Sequence, residues 1–200
     1  MLRVGVPSEI GRKRLAPLIA RFSEQHPGID VRLVLSEGLD VIRNSLDVAI
    51  RIGLPTDIGV IARKLLSSAH VVCASPAYVA RFGAPETPAA LASHNCIRLI
   101  LGERLMDRWV FRENNSRSEV PVTGTLSTDN GEVLHDWALE GRGVVLKARW
   151  DIEDDLREGT LVECLAGYQC NDIELYAVYA NRRHLSLRIR RLIDFLVDEL

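Results

Sequence analysis

The order of apolar runs in the first 52 residues constrains the fold more than any other feature of this chain. Residues 2–6 form a short apolar stretch ended by Pro7, and read as a buried strand. Ser8 follows as a helix N-cap, and Leu15, Leu18, Ile19 and Phe22 recur at helical spacing. His26-Pro27-Gly28 stops that helix. Residues 30–35 alternate and are rich in β-branched side chains, residues 37–45 suit a short helix, and residues 47–52 read as a third strand ended by Gly53 and Pro55. Strand–helix–strand–helix–strand predicts a parallel sheet with right-handed crossovers.

The middle of the chain changes character. Residues 61–66 and 70–74 read as extended, and Ser75-Pro76 opens a short helix through Phe82. Thr87-Pro88 supplies an N-cap and first turn for residues 89–93. Residues 96–101 read as a strand. Residues 108–111 and 120–126 flank a polar turn at 113–119, which predicts an antiparallel pair. Asp129 or Asn130 caps a helix whose interior is Val133, Leu134, Trp137 and Ala138, ended by Gly141 and Gly143. A strand at 144–146, a helix at 150–157, a long strand at 173–180 and an amphipathic helix at 185–200 complete the pattern. The expected architecture is two α/β lobes whose linking strands cross near Cys73 and near Ile173. Lobe I takes residues 1–73 and 175–200, and lobe II takes residues 74–174.

Charge and composition exclude several functions. The chain is 47% hydrophobic and 26% charged, ordinary values for a folded domain. Its net charge of −2 lacks the basic excess of a surface that neutralises phosphates, so any contact with DNA has to be made by something else. No apolar run approaches the roughly 20 residues that span a bilayer, so no membrane association is expected. Met1-Leu2-Arg3-Val4-Gly5 is not the start of a secretory signal, which points to a cytoplasmic location. Cys73, Cys96, Cys164 and Cys170 form no C-x-x-C pair and are expected to be reduced and buried, with a Cys164–Cys170 redox pair as the sharper alternative. The five histidines are scattered, so neither a metal site nor a cofactor is expected. Asn114-Asn115-Ser116 matches a glycosylation sequon, without significance in a cytosolic chain. No nucleophile elbow, P-loop, zinc-protease or dinucleotide motif is present, which argues against an enzyme.

Several motifs, in order along the whole chain, resemble one family. Leu2-Arg3-Val4-Gly5-Val6-Pro7-Ser8, Leu15-Ala16-Pro17-Leu18 and His26-Pro27-Gly28-Ile29 open the set. Leu46-Asp47-Val48-Ala49-Ile50-Arg51-Ile52-Gly53 and Val72-Cys73-Ala74-Ser75-Pro76-Ala77-Tyr78 continue it. Leu175-Tyr176-Ala177-Val178-Tyr179 and Arg182-Arg183-His184-Leu185-Ser186 close it. The ordered set is similar to the effector-binding domain of LysR-type transcriptional regulators. Residues 36–46 look one residue short of the usual pattern, and Lys147-Ala148-Arg149-Trp150 stands where proline is common before the arginine. The resemblance implies a type 2 periplasmic-binding-protein-like fold: two Rossmann-like lobes, crossover strands and an inter-lobe ligand cleft. It also implies a homodimer or homotetramer, and a winged helix-turn-helix DNA-binding domain ahead of residue 1 and absent from this chain. A stand-alone solute-binding protein of a transporter shares the fold and is the alternative reading. A small enzyme on the same scaffold is a third.

The candidate effector residues sit where strands meet helices. Ser8 lies at such a junction, where free N–H groups favour an anion, with Pro7 and Glu9 beside it. Its plain structural role would be N-capping, and the two are compatible. Thr128, Asp129 and Asn130 precede the corresponding helix of the second lobe and, by the resemblance, face Ser8 across the cleft. Ser36 follows the second strand, and Arg51 in the third suits either a ligand carboxylate or a neighbouring acid. Arg98 alternates with Ile97 and Leu99 and points to the cleft or to solvent. The resemblance further implies that the helix at 12–25 packs on a neighbouring subunit's helix at 131–140. Leu15, Leu18, Ile19, Phe22, Val133 and Trp137 would then line the dimer interface, the first four serving the core as well and leaving an exposed apolar part.

Overall fold

The computed structural model of the chain describes residues 1–36, 41, 44–55, 58–113, 116–181 and 185–200. β1 (Leu2–Val6) leads into α1 (Ser8–Ile10), a π-helical stretch over Gly11–Leu15, and α2 (Ala16–Gln25). β2 (Val31–Leu35), β3 (Val48–Ile52) and the long β4 (Val60–Ala74) follow. Next come α3 (Pro76–Phe82), a 3-10 helix over Pro88–Ser93, β5 (Arg98–Leu101), β6 (Arg104–Leu105), β7 (Arg108–Glu113), β8 (Ser116–Pro121) and β9 (Ser127–Thr128). α4 (Gly131–Leu139), β10 (Val145–Ala148), α5 (Arg149–Glu158), β11 (Val162–Cys164), β12 (Gln169–Cys170), β13 (Asp172–Ala180) and α6 (Leu187–Glu199) complete the chain. The chain divides into two compact units, Met1–Ser67 with Ile173–Leu200, and Ser68–Asp172.

In the first unit β1 pairs in parallel with β2 on one side and β3 on the other, as the opening pattern predicts. β13 closes antiparallel onto β3, with Leu175 opposite Ile52 and Val178 opposite Ala49. One face is sealed by Leu15, Ile19 and Phe22 together with Leu192, Ile193 and Leu196, all buried. Phe22 meets Phe195 with ring centroids 5.5 Å apart and stacks on His26 at 4.4 Å. The other face carries Val41, Leu46, Ala49, Tyr176 and Val178. The expected single helix is a helical run with a π turn, in which the Ala16 N–H reaches back five residues to the Gly11 carbonyl. Pro17, with no N–H to donate, sits one residue further on.

In the second unit β10 and β11 both pair antiparallel with the end of β4. Alternate residues of that strand feed two cores. Val71 and Cys73 pack with Ile97, Leu134, Ala138 and Ile152, while Val72 and Ala74 pack with Tyr78, Leu91, Trp109 and Phe111. Ser75, Thr87 and Asn130 all cap helices with their side-chain oxygens, Thr87 as expected and Asn130 as one of the two expected alternatives.

Other expectations shift. Residues 116–119 belong to β8 rather than to a turn, with Trp109 opposite Val120 and Phe111 opposite Ser118. The polar run Ser116-Arg117-Ser118-Glu119 conceals the start of this strand, which backbone pairing with β7 creates. Residues 61–66 and 70–74 form one continuous strand, and β5 begins at Arg98, with Cys96 ahead of it in an isolated bridge to Val144. Val133 is 37% exposed and His135 takes the buried place expected for it. Most of the short helix expected at 37–45, the asparagines of the Asn114-Asn115-Ser116 sequon and the Arg182-Arg183-His184 motif lie outside the described residues.

Candidate functional site

The carboxyl ends of the strands in the first unit collect one set of expected residues. Val6 stands beside Leu35, so Pro7-Ser8 and Ser36 leave the same end of the sheet. The Ser36 N–H donates to the Val6 carbonyl at 3.0 Å. Arg51 lies near the end of β3, the other neighbour of β1. Ligands bind at such strand ends in open α/β sheets. One expectation is corrected here. Ser8 is not the N-cap: Pro7, at φ −59° and ψ 142°, takes that position, and no side chain caps the helix. Proline suits the position, since its carbonyl accepts the Gly11 N–H at 2.8 Å and its missing N–H has no helical partner to lose. Ser8 is therefore the first helical residue, half-buried like Glu9. Sequence reasoning missed Gly11. A Cβ there would lie 2.5 Å from Leu35 Cδ2 and 2.6 Å from Val6 Cγ2, so any larger residue makes those side chains shift where the helical run seats on β1 and β2.

The second unit brings Arg98, Thr128, Asp129 and Asn130 together. β5 and β9 are parallel neighbours, with Arg98 beside Ser127 and Leu99 beside Thr128, and α4 starts three residues after Thr128. The Asn130 side-chain oxygen accepts from the N–H groups of Glu132 (2.9 Å) and Val133 (3.1 Å). Thr128 Oγ1 in turn accepts from the Asn130 N–H at 3.1 Å. Asp129 is exposed. Arg98 is half-buried, and its Nη2 donates to the Gly124 carbonyl at 2.7 Å. Its Nε is buried without a hydrogen-bond partner, and no carboxylate pairs with the guanidinium among the described residues.

Beneath α4 lies a buried cation that the sequence did not single out. Lys147 on β10 is 4% exposed, and its Nζ donates to the Gly131 carbonyl at 3.3 Å. Burial lowers its pKa to about 8, against the opposing pull of Asp151 and Asp155 on α5. His135 Nε2 lies 3.5 Å from Asp155 Oδ2. This network fixes the first turn of α4, and with it the Thr128–Asn130 segment, from below. The hints in the sequence are a lysine set between Leu146 and Ala148 in an apolar strand and the departure from the family pattern at 147–150.

The cysteines are free and buried. Burial raises all four thiols, Cys96 to about 12 and Cys164 and Cys170 to about 11, which suppresses the thiolate that redox chemistry needs. Among the described residues no group of three acidic, histidine or cysteine side chains is placed to hold a metal, and no helix is long and apolar enough to cross a membrane.

Of the expected interface residues, Leu15, Ile19 and Phe22 are committed to the core of the first unit, at 1%, 7% and 0% exposure. Leu18 is half-buried, Val133 is exposed, and Trp137 is half-buried against the Leu134–Ala138 core.

Comparison with known proteins agrees along the whole chain. The family model described as the LysR substrate binding domain matches residues 1–200. The chain is 31% identical over 197 residues to the HTH-type transcriptional regulator DmlR of Escherichia coli (strain K12), covering 98% of this chain and 64% of that relative. It is 34% identical over 188 residues to the HTH-type transcriptional regulator CrgA of Neisseria meningitidis serogroup B, covering 93% of this chain and 62% of that relative. The chain thus spans less than two thirds of the length of these relatives. The solved CrgA regulatory domain superposes with a TM-score of 0.89 at 33% identity, covering 100% of this chain and 98% of that one. The fold is accordingly the type 2 periplasmic-binding-protein-like fold of LysR regulatory domains. By sequence over its full length and by fold, this chain belongs to the LysR family of transcriptional regulators, as its substrate-binding, or effector-binding, domain.

Proposed function

We propose that this domain senses a small organic anion and reports it to a DNA-bound oligomer. Arg98 carries the reading: a half-buried guanidinium with one hydrogen bond, an unpartnered Nε and no counter-charge among the described residues, beside the start of α4. Desolvating a cation without a partner costs free energy that a bound carboxylate offsets, and arginine's planar fork matches a carboxylate bidentately. Thr128 and Asn130 add polar contacts. The Asn130 oxygen is committed to capping, so its amide nitrogen is the group left for an effector. Exposed Asp129 repels an anion unless the ligand leaves it in water. Pro7, Ser8, Glu9, Ser36 and Arg51 are the first unit's own candidate effector contacts. The experiment is calorimetric titration of a panel of mono- and dicarboxylates into wild type and Arg98→Met. The variant is expected to lose at least about tenfold in affinity, roughly 1.4 kcal/mol, for whatever the wild type binds. Undiminished binding would place the effector elsewhere.

The domain is regulatory and not catalytic, and works in the cytoplasm. The effector shifts an equilibrium between two arrangements by its differential affinity for them. DNA is contacted through a helix-turn-helix domain outside residues 1–200. Subunits associate as a homodimer or homotetramer through the α2 and α4 faces, with Leu18 and Val133 as the apolar groups available for contact. Leu18→Asp should give monomers in sedimentation velocity. A dimer as strong as wild type would rule this interface out.

A further inference from the structure

A cavity lies in the first unit, at the opposite end of its sheet from Ser8, Ser36 and Arg51. Its volume is about 320 Å³, and it is lined by Arg63, Tyr179, Leu185, Arg190, Ile193 and Asp194. β13 is antiparallel to β3, with Tyr176 opposite Arg51 and Val178 opposite Ala49. Tyr179 therefore stands next to the first residue of β3, whereas the effector residues of this unit cluster at the carboxyl ends of β1, β2 and β3. The two places share no residue.

Charge placement gives the cavity its chemistry. Arg190 and Asp194 are four residues apart on α6, a spacing at which opposite charges ordinarily pair. Here they do not, and neither Arg63 nor Arg190 has a carboxylate partner among the described residues. Arg63, Arg190 and Asp194 instead line the same cavity, together with the apolar Leu185 and Ile193. The first turn of α6 carries no acidic residue to offset the positive end of the helix. Next to Leu185, the Ser186 hydroxyl oxygen is buried without a hydrogen-bond partner among the described residues. Two cations and the helix end attract a carboxylate, the lone carboxylate attracts a cationic donor, and the aliphatic wall accepts a short carbon chain.

We propose that this cavity is a second ligand site that takes a zwitterionic amino acid, its carboxylate between Arg63 and Arg190 and its ammonium on Asp194. L-glutamate is the probe and glutarate, the same carbon body without the ammonium, is its control. In amide NMR titrations of this chain, L-glutamate is expected to give saturable shifts at residues 62–64, 179–180 and 185–194 in the millimolar range. Arg63→Gln with Arg190→Gln should weaken that binding at least tenfold while leaving the remaining amides where they were. Asp194→Asn should reduce the preference for glutamate over glutarate at least threefold. The absence of saturable shifts at these amides, or shifts unchanged in the double variant, would overturn the site. Glutarate binding as tightly as glutamate to the wild type would overturn the assignment to a zwitterion.

Discussion

Asp151→Ala is expected to destabilise the chain by about 3–5 kcal/mol, the usual consequence of removing one partner from a buried charge pair. Lys147 is 4% exposed, Asp151 is 8% exposed, and the Asp151 charge is the largest of the influences that favour protonated Lys147. Without it the ammonium is left in an apolar layer with weaker compensation. Lys147→Met with Asp151→Ala should recover most of the loss, since an apolar pair of similar shape has no charge to desolvate. The pH dependence has a definite sign. The folded-state pKa of Lys147, about 8, lies below the ordinary 10.5, so the unfolded chain holds the extra proton between those values. Folding stability relative to Lys147→Met should therefore be flat below pH 8 and rise from there to pH 10.5, with a slope of roughly 1.4 kcal/mol for each step of one in pH. Urea unfolding of both proteins across this range measures it. A difference independent of pH would show that Lys147 does not titrate as a buried amine.

Gly124→Ala is the second large effect. A Cβ at this position would lie 2.0 Å from the Cys96 carbonyl oxygen and 2.8 Å from its carbon. Both are backbone atoms, in a segment pinned by the Cys96 N–H to Thr123 carbonyl bond at 2.9 Å and the Thr125 N–H to Asn95 Oδ1 bond at 2.8 Å. The backbone has to move, at a cost of about 3 kcal/mol or more, which lowers Tm by roughly 6–12 °C in a chain of this size. Because the Gly124 carbonyl holds Arg98, carboxylate affinity should fall in the same variant. A Tm within about 2 °C of wild type would mean that the backbone around Cys96 and Gly124 yields at little cost.

Local signals in the sequence are readable, and signals that depend on distant partners are not. Ser75, Thr87 and Asn130 declare themselves as caps because capping involves residues two or three apart. The parallel opening of the sheet follows from apolar runs of the right length. β8 and β9 escape detection in part or whole because their side chains are polar and their existence rests on β7 and β5. Gly11 and Gly124 look like ordinary glycines until the atoms that crowd them are known. Alternation alone marks Arg98, but its partner is 26 residues away, and only the fold shows how little else it touches. Ser8 reads as a cap because serine is the better capping side chain, while the chain uses Pro7. Leu15, Ile19 and Phe22 illustrate a different limit. An apolar helical stripe reveals that a face is buried, but not how much of it the core takes and how much stays open to a second subunit.

Capture of a small organic anion is proposed for Arg98 and the start of α4, with residues 8–11 as the first unit's candidate contacts. Amide hydrogen exchange on the wild-type domain, with and without the tightest-binding carboxylate of the panel, reads out that capture. Exchange at least tenfold slower is expected in two segments, residues 8–11 and 124–133, with little change around Arg63 and Arg190. Protection confined to other segments, or a panel in which no carboxylate binds, would contradict it.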